Sequence, residues 1–164
     1  MLIEETILTD NPTQTELITF NFAETRRRSI KLWRELPQEH YFRKLDEQGM
    51  HGLEMVRQVL EADYLFHFII ENTSDISKFQ LWNNRPYKNL QNELDFAAPF
   101  RESFINTVQN FSVQELTVIE IIRSGNKQRR KLVDYLLKMA YQEAVQAGQF
   151  LSYLRALGVD SPST

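Results

Sequence analysis

The chain has 164 residues, 42% of them hydrophobic and 25% charged, with a formal net charge of −3 and no cysteine. That length suits one domain over 1–164 that buries a core without covalent staples, and the charged and apolar fractions are those of a globular protein. Lack of cysteine excludes disulfides, iron–sulfur centres, zinc ribbons and a thiol nucleophile of the protein's own, while the acidic balance speaks against nucleic acid as a partner.

The opening segment, Met1-Leu2-Ile3-Glu4-Glu5-Thr6, lacks the basic region and apolar run of a signal peptide. No stretch approaches the roughly 18 uninterrupted apolar residues of a membrane span. The expectation is a soluble cytoplasmic chain with no membrane partner. Few glycines and prolines interrupt it, which favours long helices over many short strands.

A first helix is predicted from Thr15 to Leu36, after Asn11-Pro12 and before Pro37, with Phe20, Ala23, Ile30 and Trp33 on its apolar side and Arg27 interrupting it. Pro37–Gln48 reads as a polar connection. The second helix should cover Met50–Glu71, its stripe formed by Met55, Val59, Ala62, Phe66 and Ile69, with Asn72-Thr73-Ser74 as the exit. Asp75–Asn92, containing Trp82 and Arg85-Pro86, reads as a long loop and a candidate crossover. Trp82 reads as a lid over a satellite core rather than an interface anchor.

The third helix is expected over Glu93–Phe111, with Leu94, Ala97, Ala98, Phe104, Ile105 and Val108 inward and Pro99 as a possible kink. Val118–Ile122 reads either as a short strand or as a helix end, followed by a turn at Ser124-Gly125-Asn126. The fourth helix, Lys131–Leu157, is the clearest: Leu132, Tyr135, Leu136, Met139, Phe150, Tyr153, Leu154 and Leu157 mark its inner side, and Gly158 stops it. Four long apolar-striped helices imply an all-α four-helix bundle, up-and-down or with a single crossover.

Three glutamines stand where these stripes expect apolar residues. Gln142 and Gln146 are four apart on the last helix, between Met139 and Phe150. Gln58 falls on the line of Met55 and Ala62. Inward amides must find partners or cost about 1–3 kcal/mol, so the three predict either a mutual hydrogen-bond cluster or a polar pocket for a small-molecule ligand. Of the histidines, His67 lies half a turn round from Gln58, His51 shares its face about 10 Å along the axis, and His40 has no visible partner.

The segment Gln142-Glu143-Ala144-Val145-Gln146-Ala147-Gly148-Gln149-Phe150, with Tyr153-Leu154-Arg155-Ala156-Leu157-Gly158 and Pro162, resembles the last helix of the DinB/YfiT superfamily. There the pattern is His-Glu-x-x-His-x-Gly-Gln, then Leu-Arg-x-x-Gly and a proline. Glu143, Gly148, Gln149, Arg155 and Gly158 match it, and both histidine positions hold glutamine. Gln58-Val59-Leu60-Glu61-Ala62-Asp63 is similar to the family's second signature, again with glutamine for histidine, and the stretch from Glu24-Thr25-Arg26 to Leu36-Pro37 resembles its start.

The resemblance implies a DinB-like bundle, a site at Gln58, Gln142 and Gln146, and in some members thiol-dependent transferase or isomerase chemistry at a histidine-held metal. Amide oxygen is a poor substitute for imidazole at zinc or nickel, so no metal and no other cofactor is expected. The leading expectation is therefore a small-ligand binding or protein-interaction module, paired as a homodimer because closed twofold pairs dominate soluble oligomers. The alternative is a thiol-dependent enzyme of the S-transferase or isomerase type. Whether the chain is an enzyme is left open.

Overall fold

A computed structural model describes residues 7–72, 75–123 and 128–160. The elements in chain order are α1 (Gln14–Trp33), a 3₁₀ turn (Gln38–His40), α2 (Gly52–Glu71), a second 3₁₀ turn (Trp82–Asn84) and α3 (Leu90–Gln109). Then come α4 (Val113–Val118), the strands β1 (Glu120–Arg123) and β2 (Gln128–Lys131), and α5 (Leu132–Ala156). Expected turns at Thr73-Ser74 and at Ser124-Gly125-Asn126, the opening Met1–Thr6 and Pro162 lie outside the described residues.

Local chemistry sets where the helices begin. Capping boxes Thr13/Glu16, His51/Glu54 and Ser112/Glu115 open α1, α2 and α4, each satisfying two otherwise orphaned N–H groups. Asn89 caps α3 through the Asn92 amide. Pro99 lies inside α3 on its exposed side, and the helix runs through it. The stretch expected as strand or helix end is both: α4 runs to Val118 and β1 starts at Glu120, pairing antiparallel with β2.

Cross-helix contacts fix the topology. From α2 to α3, Arg57 meets Glu93, Asp63 meets Arg101 and His67 meets Thr107, so the two helices run parallel. From α2 to α5, the Gly52 N–H donates to the Tyr153 hydroxyl at 3.2 Å, while Arg26 binds both Asp63 and Glu143, so these two run antiparallel. The α1–α3 pair is antiparallel as well: Phe22 packs on Phe104 at 5.4 Å at one end, while Ile30 and Trp33 cluster with Leu90 and Leu94 at the other. The result is an up-down-down-up bundle whose single crossover is the stretch between α2 and α3, as the long polar loop implied.

The core has two apolar halves. One gathers Trp33, Leu36, Leu53, Leu60, Trp82 and Phe150; the other gathers Phe22, Ile69, Phe104, Leu132 and Leu136. Trp82 is buried and stacks on Tyr64 with ring centroids 5.8 Å apart, as expected of a lid under a long loop. Among the described residues no helix is long and apolar enough to cross a membrane.

On α5 the inner line is the expected one, except that Leu157 is only half-buried. On α1 the expected Ile30 and Trp33 are buried, as on α2 are the expected Val59 and Ile69, but the other inward positions lie one or more residues from the expected ones. Phe22 and Arg26 point inward on α1, with Phe20, Ala23 and Arg27 half-buried; on α2, Val56, Leu60 and Asp63 are buried, with Met55 and Ala62 half-buried.

Candidate functional site

Between the two apolar halves lies a charged layer. Arg26 on α1 donates from Nε to Glu143 of α5 at 2.7 Å and from Nη2 to Asp63 of α2 at 2.8 Å. Arg101 on α3 donates to the other Asp63 oxygen at 3.0 Å and to the Phe22 carbonyl at 2.9 Å. All four long helices thus meet at one level. Burial opposes the charge on Arg26, but Asp63 and Glu143 more than offset it and its pKa is raised. Arg101 is shifted the other way, downward, by burial together with the neighbouring Arg26, despite Asp63.

A second buried ion pair holds the crossover. Arg57 Nε and Nη2 donate to the two oxygens of Glu93 at 2.8 and 2.7 Å, a bidentate pair. Its remaining hydrogens go to the carbonyls of Trp82 (3.3 Å), Arg85 (2.6 Å) and Pro86 (3.3 Å). The guanidinium also lies 3.6 Å from the Tyr87 ring centroid. Every Arg57 donor is therefore spent inside the fold. Glu61 accepts the Trp82 N–H and Arg85 joins Glu93 at 3.1 Å, so the 82–86 turn is tied at both edges.

Open surface lies at the start of α2. One groove of about 250 Å³ is lined by Met50, Glu54, Arg57, Gln58, Glu61, Leu81, Asn83 and Tyr87. Its neighbour, of about 320 Å³, is lined by Leu45, Asp46, Gly49, Met50, Met55, Gln149, Ser152 and Tyr153. Met50 belongs to both and stands as a ridge between them. His51 caps the helix under this ridge, its Nδ1 accepting the Glu54 N–H at 3.2 Å, with its ring edge-on to Phe42 and Tyr87. Burial pushes the His51 pKa down, with Lys44 and Arg57 adding to the shift and Glu54 opposing it.

The glutamines are not where the stripe placed them. Gln58 and Gln142 are exposed and Gln146 is half-buried. The inward positions beside them belong to Arg57 and Glu143, which are buried because each has an opposite charge waiting across the bundle. A buried mutual amide cluster is thereby corrected: no hydrogen bond among the three glutamines is formed. Their relative placement still follows from the α2–α5 register. Gly52 lies level with Tyr153, Met55 and Gln149 share a groove, and Asp63 and Glu143 share Arg26. That antiparallel run puts Gln58 level with Gln146 and sets Gln142 one turn further along, at the charged layer.

Glu143, which matches the motif beside the glutamines, is thus a partner of Arg26 and not a wall of an open pocket. His51, expected on the face of Gln58, is a buried cap. His67 is buried and bonds Thr107 at 2.8 Å and Glu71 at 3.0 Å. Among the described residues no group of three or more His, Cys, Asp or Glu is placed to hold a metal. The donor set at the three motif positions is three neutral amides, which does not fit a zinc or nickel site.

The fold has a known counterpart. A crystal structure of a DinB-like protein, YjoA, from Bacillus subtilis matches with a TM-score of 0.66 over 90% of this chain and 96% of that one, at 19% sequence identity. The chain therefore has the DinB-like fold. No family model matches the sequence, and no curated protein matches it either.

Proposed function

We propose that the protein is a member of the DinB/YfiT superfamily that works without a metal, as a binding module whose site lies along the outer face of the α2–α5 pair. The observation that carries this is the coincidence of two features on that face. The register sets Gln58 level with Gln146 on the facing helix and Gln142 one turn further along, and the two open grooves are lined by Gln58 on one side and Gln149 on the other. Amides that face solvent beside a groove offer donors and acceptors to an organic ligand without the cost of burial. We read the chain as a single domain over 1–164 and as a cytoplasmic homodimer with a small-molecule ligand.

The rival reading is a thiol-dependent transferase or isomerase that uses another metal or none; in its metal-dependent form it needs a metal-activated thiolate. Neutral amides at all three motif positions do not favour it.

Elemental analysis with zinc and nickel titration of the wild type and of Gln58→His/Gln142→His/Gln146→His tests the metal-free reading. The expected result is no tight metal in the wild type and about one ion per chain in the triple variant. One metal per chain in the wild type overturns it. An NMR screen of small organic fragments against ¹⁵N-labelled protein tests the site: shifts at Gln58 and its groove are expected, and binders that cluster elsewhere refute the placement.

A further inference from the structure

Four large apolar side chains are exposed around the two grooves: Phe42 (56%), Leu45 (50%), Met50 (43%) and Leu81 (55%). They are contiguous, because Met50 shares one groove with Leu81 and the other with Leu45, and Phe42 packs against His51 next to it. Contiguous apolar surface of this kind, rimmed by polar groups, marks interaction sites. A methionine ridge adds adaptability, since its unbranched side chain re-packs around different guests.

The groove linings carry mostly acidic charge, with exposed Lys44 and Arg43 beside them. Asp46 lines one groove, and Glu54 and Glu61 line the other. The sole cation among these linings is Arg57, and its donors are consumed by Glu93 and three carbonyls. Lys44 stands at the rim, 3.9 Å from Glu54, too far for a strong pair. Two adjacent grooves that share Met50 suit side chains projecting from a larger partner.

Resting on the binding-module reading, we infer that this face docks a basic, apolar-studded segment of another protein: two apolar side chains seated either side of Met50, with Lys or Arg reaching Asp46, Glu54 and Glu61.

The test is selection of a random 12-residue peptide display library on the full chain. Two variants follow the winners. Asp46→Asn/Glu54→Gln/Glu61→Gln keeps the turn and cap acceptors but removes the charge, and Met50→Ser removes the ridge; circular dichroism confirms that both fold. Enriched peptides should combine apolar residues with Lys or Arg. They should bind each variant about tenfold more weakly than wild type, the scale of a few charge-assisted contacts. Enrichment of acidic peptides, or equal affinity for wild type and both variants, overturns the inference. If no peptide is enriched while organic fragments bind at Gln58, the partner class falls and the binding-module reading stands. If neither binds, both fall.

Discussion

Replacing Arg26 by methionine is the sharpest probe of how this bundle is held. The guanidinium is buried and touches Glu143 at 2.7 and 3.1 Å and Asp63 at 2.8 Å. Methionine fills similar space but takes away the partner that Glu143 has among the described residues and leaves Asp63 with Arg101. Removing one member of a buried ion network costs about 3–5 kcal/mol, mostly the penalty of stranding the other charge. For a chain of this size that is a fall in Tm on the order of 10 °C. Urea unfolding followed by circular dichroism measures it, with the slope unchanged and the midpoint moved. A companion variant replaces the whole layer: Arg26→Met/Asp63→Leu/Glu143→Leu/Arg101→Met. With no charge stranded, it should be within about 1 kcal/mol of wild type or more stable. A loss below about 1 kcal/mol for Arg26→Met alone, the size of a surface pair, would refute the claim that this layer joins the four helices.

Three further outcomes follow from other parts of the fold. The His51 ring caps α2 only when Nδ1 is unprotonated, and its folded pKa is depressed by burial; the stability it contributes is therefore present above its unfolded value of about 6.5 and is lost as pH falls below it. His51→Asn, a cap that does not titrate in this range, should remove that part of the pH dependence, read by urea unfolding at several pH values between 5 and 8. Gly148 sits in the middle of α5 with nothing within 4 Å of where a Cβ would be, so Gly148→Ala should stabilise by about 0.5–1 kcal/mol in the same assay. Arg57→Met should free the 82–86 turn and cost about 3 kcal/mol or more, with Trp82 emission shifting red and new protease cleavage between Asp75 and Asn89.

The bundle was legible because its signals are redundant: long apolar stripes, breakers near the ends, and a polar stretch before α3 long enough to cross between parallel helices. The last helix was read closest, since Leu132, Leu136, Met139, Phe150 and Leu154 leave its inner face in no doubt. The sequence was less clear on α1, where the arginine run Arg26-Arg27-Arg28 looks like a solvated face. Arg26 alone turns inward, and nothing local distinguishes it from Arg27, which instead pairs with Glu24 one turn away. What decides is a carboxylate more than a hundred positions on.

The same physics moved the inward polar position by one residue on two helices. Apolar continuity made Gln58 and Gln142 look like the inward polar residues, because an uncharged amide is cheaper to bury than a neighbouring charge. That rule holds for isolated groups. It fails for Arg57 beside Gln58 and for Glu143 beside Gln142, because each charge meets a partner at 2.7 Å. Two matched charges can enter a core that one alone cannot. Once Arg57 and Glu143 turn inward, a rotation of about 100° per residue carries Gln58 and Gln142 outward. The buried pairs thus turn Gln58 and Gln142 to solvent, and Gln58 lines a groove at the start of α2. A polar interruption in a helical stripe should therefore be tested together with its charged neighbours, by asking whether a complementary charge lies on the facing stripe of another helix. Here Arg26 supplies that answer for Glu143, and Glu93 supplies it for Arg57.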